Sequence, residues 1–311
     1  MPSDKSCWSP RPARFCRFRV SRYDSETMLV LRLLKMSRPR FWLYLFGPAL
    51  LGAAAAVHSD AGRLSLFSVL SVIIFLFPAN LFLYGVNDIF DIETDRLNPK
   101  KQGYEQALDP KMIPQVLRAV ILYLLPCCIL LLFLPRAAFW SFCIFLCLGI
   151  AYSVPPFRLK ARPFLDALSN ILYVVPALVT WYAFGGGAIN PYLVVAGGVW
   201  CMAMHAYSAV PDIEADRAAK LSTIATTLGK NGTLIFCGGL YLIATVLASL
   251  VWYGFPMFAG IVYLALMIRS AQVKTHEGLL AMYRIFPWVN ALFGFVIFWW
   301  IILGMTSRPL F

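Results

Sequence analysis

Charge is scarce in this chain: only 14% of its 311 residues are Asp, Glu, Lys or Arg, while 60% are hydrophobic. That shortage excludes an ordinary soluble domain. The mean hydropathy of +0.72 points to a membrane as the solvent. Paired zinc-type spacings with histidine are also missing. The eight cysteines (Cys7, Cys16, Cys127, Cys128, Cys143, Cys147, Cys201 and Cys237) mostly sit inside apolar runs. They read as small buried hydrophobes. The N-terminus lacks the continuous apolar core of a signal peptide. Residues 1–34 are instead Arg-rich, and read either as a basic disordered arm or as an extension ahead of a start at Met28. Residues 35–311 then make one domain. A net charge of +12 would suggest nucleic acid in a soluble protein. In so apolar a chain it reads as basic residues holding the cytoplasmic ends of helices, and no nucleic-acid partner is expected.

What is present is a series of long apolar runs. A bilayer-spanning helix needs roughly 20 such residues, with about 17 as a lower limit. About nine runs qualify: Phe41–Val57, Leu66–Val86, Ile113–Leu134, Phe139–Val154, Leu165–Phe184, Pro191–Val210, Thr233–Tyr253, Phe255–Ile268 and Phe286–Met305. The fold expected is an all-α, multi-pass membrane protein. Its connections sort by charge. One side carries Arg96, Lys100, Lys101, Lys111, Arg158, Lys160, Arg162, Arg217, Lys220, Lys230, Arg269, Lys274 and Arg284. The other carries only Arg63, Arg136 and Arg308. The excess of Lys and Arg places the first side, with the N-terminus, in the cytoplasm of a cell-membrane protein. An odd number of spans then puts the C-terminus outside.

The acidic residues gather on the same side, which the charge rule does not require. The first cluster is Asn87-Asp88-Ile89-Phe90-Asp91-Ile92-Glu93-Thr94-Asp95-Arg96, directly after the second run. On a continuing helix Asp88, Asp91 and Asp95 share one face and Glu93 points elsewhere. The second cluster, Asp212-Ile213-Glu214-Ala215-Asp216-Arg217, ends the sixth run. Asp212 and Asp216 share a face there, and Glu214 does not. Like charges so spaced repel and weaken their helix, so a cation must compensate. Magnesium fits, because it takes carboxylate oxygens, keeps some water and completes its shell with substrate phosphates. Arg96, Lys100, Arg158, Lys160, Arg217 and Lys220 are candidates to face the remaining diphosphate charge. A solvated acidic helix end paired with Lys and Arg explains either cluster alone more easily than it explains both together. An ion path in a transporter is a further alternative, although transporter acids usually sit near the midplane on broken helices.

At these residues the chain resembles the UbiA superfamily of intramembrane prenyltransferases. Asn87, Asp88, Asp91 and Asp95 match the family's NDxxDxxxD pattern, and Asp212 and Asp216 its DxxxD pattern. The segment Tyr152-Ser153-Val154-Pro155-Pro156-Phe157-Arg158-Leu159-Lys160 is similar to the family's tyrosine-to-lysine loop, with looser spacing than the YxxxK form. The resemblance runs from Leu33 to the C-terminus and implies nine helices around a central cavity. It also implies two magnesium ions, held by the five aspartates, that bind a prenyl diphosphate donor at the cytoplasmic end of that cavity. Aromatic faces would stabilise the allylic cation; Phe82, Tyr84, Phe90, Tyr152 and Tyr207 are candidates. The segment Met204-His205-Ala206-Tyr207-Ser208-Ala209-Val210-Pro211-Asp212, continuing through Leu221-Ser222-Thr223-Ile224-Ala225-Thr226, is similar to the lycopene elongase subgroup. That implies dimethylallyl diphosphate as donor and lycopene or a related acyclic carotene as acceptor. His205 and Asp166 are candidates for the base that ends the reaction, with Asp166 also able to pair with Arg162. A quinone-precursor or other aromatic acceptor is the nearest rival.

Overall fold

The computed structural model describes residues 25–59, 62–95, 107–252 and 254–304. Among them there is no strand. The helices are α1 (Ser25–Met36), α2 (Leu43–His58), α3 (Leu66–Ile73), α4 (Pro78–Phe90), α5 (Ile92–Asp95), α6 (Ile113–Leu131) and α7 (Arg136–Ser153). They continue as α8 (Leu165–Leu168), α9 (Val175–Ala183), α10 (Pro191–Ala209), α11 (Ile213–Ala218), α12 (Ile224–Ser249), α13 (Phe255–Gln272) and α14 (His276–Ile302).

Local chemistry explains most of the boundaries. Pro78, Pro191 and Pro256 stand in first turns, where a missing N–H costs nothing. Ser65 with Ser68 and Thr223 with Thr226 form reciprocal capping boxes that start α3 and α12. The Thr223 box also corrects a boundary: the seventh span begins at Ile224, not Thr233, with a break at Gly229, whose φ is 66°. The ninth begins at His276, not Phe286, because the Thr275 hydroxyl caps the Gly278 N–H. A hydropathy window sees only the apolar stretch, whereas a cap starts the helix in the polar turn before it.

Eight helical stretches among the described residues are long and apolar enough to cross a membrane. A ninth follows if the pair Met28–Phe41 and Leu43–His58, bent by 65°, is one span. The bend falls where Arg38 takes a left-handed φ of 52° just before Pro39. Residues 25–34, assigned to the arm by sequence, are helical, because Leu29, Leu33 and Met36 pack on the core; residues 1–24 lie outside the described residues.

Large apolar side chains face outward all round: Trp288 is 78% exposed, Ile235 77% and Phe133 68%. Such a surface suits lipid and not water. The protein is a multi-pass membrane protein.

Two packed clusters make the interior. One joins α2, α3, α4, α6, α7 and α9, and the other joins α10, α12, α13 and α14. Between them lies a cavity of about 840 Å³, lined by α2, α9, α10, α12, α13 and α14. Successive spans alternate in direction. The ends of α4, α7 and α10 and the starts of α2, α8, α12 and α14 therefore meet at one end of the bundle.

Candidate active site

The first acidic motif does not continue as one smooth helix. α4 stops at Phe90, Asp91 turns with φ −108° and ψ 4°, and α5 resumes at Ile92. The Asp95 N–H still bonds the Asp91 carbonyl at 2.7 Å, so the chain keeps its helical sense across the break. Asp88, Asp91 and Asp95 are 5%, 9% and 7% exposed, while Glu93 is exposed. Three buried carboxylates in a row are tenable only with compensating cations.

Those cations come from two other elements. Arg38, at the bend before α2, pairs with Asp88 at 2.8 Å and lies 4.6 Å over the ring of Tyr84. Lys160, in the loop between α7 and α8, reaches Asp91 at 2.6 Å and donates to Asn87 Oδ1 at 2.9 Å. Ser153 donates to the same Asn87 oxygen. Arg158 reaches the other oxygen of Asp91 at 3.5 Å, and its Nε is buried with no partner among the described residues. The tyrosine-to-lysine loop therefore delivers both of its cations to one carboxylate. Burial pushes the Lys160 ammonium below the ordinary lysine range, and the Asp91 carboxylate holds it partly up.

The second motif leaves the same end of the bundle. Asp212 closes a 3-10 turn and Asp216 lies on α11; both are half-buried, and Glu214 is exposed. Asp216 accepts a long hydrogen bond from Thr223. The helix carrying this motif approaches the first through His205, which meets Tyr152 edge-on at 6.1 Å.

Beneath the first motif is a small polar pocket of about 80 Å³ lined by Arg38, Tyr84, Asn87, Tyr152, Asn170 and Tyr173. Tyr173 also lines the large cavity, so the polar pocket and the apolar chamber meet at its ring.

Several sequence expectations are corrected. Phe82 packs against Phe145 and Gly149 in the α4–α7 interface and faces neither space. Phe90 is 39% exposed on the outer surface. Tyr207 is sealed in the core, bonded to Ser270 and packed on Phe286. A run of aromatic residues cannot show which way each one turns. Arg217 is exposed and bonds the Thr226 carbonyl, and Lys220 sits exposed in the turn after α11. Asp166 is fully buried and accepts the N–H groups of Ala167 and Ile224, so it anchors the start of α12. Arg162 bonds the Pro156 carbonyl instead of Asp166. His205 stands 3.9 Å from Asp166. Arg96 and Lys100 lie outside the described residues. Arg38 and Tyr173 were not singled out by sequence, since an arginine beside a span end reads as an interface anchor and a tyrosine inside a span reads as packing.

The donors fit a hard divalent cation: buried carboxylate oxygens with no thiolate among them. Among the described residues no three Asp, Glu, His or Cys side chains gather to hold an ion alone.

Buried aspartates compensated by Arg and Lys, set over an apolar chamber inside a helical bundle, define an intramembrane enzyme for a substrate with an anionic head and an apolar tail. The chain belongs to the UbiA prenyltransferase family, whose model matches residues 45–277. It is 41% identical over 268 residues to a lycopene elongase/hydratase of Halobacterium salinarum, covering 84% of this chain and 93% of that one. It is 33% identical over 285 residues to a lycopene elongase/hydratase of Corynebacterium glutamicum, covering 85% and 94%. The fold matches a UbiA homolog from Archaeoglobus fulgidus, solved with GPP and magnesium, at a TM-score of 0.64 and 20% identity, covering 87% of this chain and 99% of that one. This protein is accordingly a prenyltransferase that uses a prenyl diphosphate donor and a hydrophobic acceptor, and the transporter alternative is set aside.

Proposed function

We propose that the protein transfers a dimethylallyl group from its diphosphate to the end of lycopene or a related acyclic carotene, at the cytoplasmic face of the cell membrane. The observation that carries this is the stacking of a buried aspartate site directly on an apolar chamber. Such a pair of spaces separates a charged leaving group from a hydrocarbon acceptor. The likeness to lycopene elongase/hydratases over most of the chain supports the choice of acceptor.

In this reading Asp88, Asp91, Asp95, Asp212 and Asp216 hold magnesium. When bound, the metal supplies charge neutralisation and Lewis acidity toward the diphosphate. Asn87 orients Lys160, and Lys160 and Arg158 turn from Asp91 toward the diphosphate oxygens when the substrate enters. Arg38 holds Asp88 in place and presents its guanidinium over Tyr84. In the sequence Arg96 and Lys100 follow the first motif and are further candidates to face the donor. Tyr84 and Tyr152 offer ring faces to the allylic cation, and the apolar lining of the chamber limits bulk water around it. The excess of Lys and Arg at this end supports a cytoplasmic orientation for this face.

The test is expression in cells that accumulate lycopene, followed by mass analysis of the pigments. The expected products are longer by one or two five-carbon units. Unchanged lycopene, with the protein present in the membrane, overturns the carotenoid assignment and moves an aromatic acceptor to the front.

A further inference from the structure

The large cavity is almost wholly apolar. Among the described residues lining it there is no Asp, Glu, Lys, Arg or His, and Asn290 carries the only carboxamide. Yet one polar belt crosses its wall. Tyr263 donates to Asn290 Oδ1 at 2.9 Å, and Asn290 Nδ2 donates to the Tyr44 hydroxyl at 3.1 Å. The belt joins α2, α13 and α14. Beside it the ring of Tyr241, from α12, stacks on Tyr263 with centroids 4.5 Å apart and planes 11° from parallel. Tyr241 is 1% exposed and lines the same cavity, and its hydroxyl is buried with no hydrogen-bond partner among the described residues.

The donor and acceptor inventory leaves this belt unfinished. Asn290 has used one of its two N–H groups and one of its two acceptor positions, and the Tyr44 hydroxyl proton is still available. The Tyr241 hydroxyl has both functions free. A buried hydroxyl without a partner is unfavourable, and no group among the described residues relieves it. A small polar molecule with two to four hydrogen-bonding positions does, and water is the molecule of that size. The belt is also close to the reacting end. The Tyr44 ring lies 6.3 Å from that of Tyr173, which lines both the polar pocket and the cavity.

We infer that Asn290, Tyr44 and Tyr241 hold the water that terminates the reaction, so that this set decides between a hydroxylated and an olefinic product. The inference rests on the carotene reading above. The acceptor's terminal double bond supplies the electron pair for the new C–C bond to the prenyl C1, while the C1–O bond breaks and its electron pair leaves with the diphosphate. A tertiary cation remains on the acceptor. The held water donates an oxygen lone pair to that carbon, forms a C–O bond and gives up one proton, which the released diphosphate accepts. If water is not positioned, the cation instead loses a proton from a neighbouring carbon to the same base and becomes an alkene. Asn290 and Tyr241 act here as positioning residues through the water.

The experiment compares wild type, Asn290→Leu and Tyr241→Phe in lycopene-accumulating cells. Its readout is the mass-resolved ratio of hydroxylated to olefinic prenylated carotene, normalised within each strain. The expected result is a fall of about tenfold in that ratio for both variants. A purely structural role lowers both products together and leaves the ratio unchanged. Tyr241→Phe removes one oxygen atom with no hydrogen-bond partner among the described residues, so it keeps the test available whatever Asn290→Leu does to folding. An unchanged ratio in Tyr241→Phe overturns the inference, as does a wild type that forms only olefinic product. A wild type that forms no prenylated carotene at all overturns the carotene reading instead.

Discussion

The side chain of Asp91 answers to two cations, the largely buried Lys160 at 2.6 Å and the half-buried Arg158 at 3.5 Å. Without Lys160 the buried Asp91 carboxylate keeps only the more distant Arg158, so the cost should fall below the about 3–5 kcal/mol of a fully broken buried pair. Lys160→Met should therefore reduce both stability and turnover, while Lys160→Arg should recover most of the stability. Thermal unfolding in detergent, beside diphosphate release, checks both effects. Equal unfolding temperatures for Lys160→Met and wild type would remove Lys160 from the charge balance. Asp88→Ala and Asp212→Ala are expected to lower diphosphate release by at least about a hundredfold, on the scale of a lost transition-state charge contact. Membrane insertion should be unaltered, and full activity in either variant would remove that residue from the proposed metal site. Much of this site was legible in the sequence, because the spacing of Asp88, Asp91 and Asp95 fixes a face once a helix is assumed. Arg38 was not legible. It lies 50 residues away, and only the bend at Pro39 brings it to Asp88.

Helix packing sets where these side chains stand. A Cβ on Gly52 of α2 would fall 2.1 Å from the Ala177 carbonyl oxygen and 2.5 Å from Thr180 Oγ1 on α9. Thr180 in turn donates to the Ala49 carbonyl at 2.7 Å, so the two backbones are tied at close range. Gly52→Ala should then separate α2 from α9 and destabilise the fold by about 1–3 kcal/mol. Gly187→Ala is the matched control, since a Cβ there meets nothing within 4 Å. The unfolding temperatures of the two variants in the same detergent should differ clearly, and identical values would show that α2 and α9 can yield. Asp166 plays a comparable part at the start of α12, where its carboxylate accepts the Ile224 N–H at 2.8 Å. Its position four residues after Arg162 suggests a loop ion pair in the sequence; in the fold it works as a helix anchor.

At the scale of the whole molecule, the bundle places a polar pocket and an apolar chamber end to end, with Tyr173 between them. In the proposed reading a substrate with a diphosphate head and a short prenyl tail would span that junction, and a hydrocarbon acceptor would occupy the chamber. If the aspartates hold magnesium, chelation with excess EDTA should abolish prenyl transfer, and added magnesium should restore it. Donor consumption measured in native membranes tests this, and activity that survives chelation would exclude a divalent ion from the site. The chelated protein should remain folded, because Arg38 already compensates Asp88, and Arg158 and Lys160 compensate Asp91.

The membrane solvent, the number of spans, the shared side of the two acidic motifs and the outward turn of Glu93 and Glu214 were all determined by the sequence alone. Each depends on composition or on spacing along one helix, and both are properties of a local stretch of chain. The structure alone decided that Phe82 and Tyr207 are packing, that Phe90 faces outward and that Tyr173 divides the two spaces. It also brought Tyr44, Tyr241 and Asn290 to one wall of the cavity from three separate helices. The physical reason is the solvent. In water a helix reveals its buried face by alternating apolar and polar residues, but in a bilayer both faces are apolar. The rotation of each helix is then written only in how it packs against its neighbours.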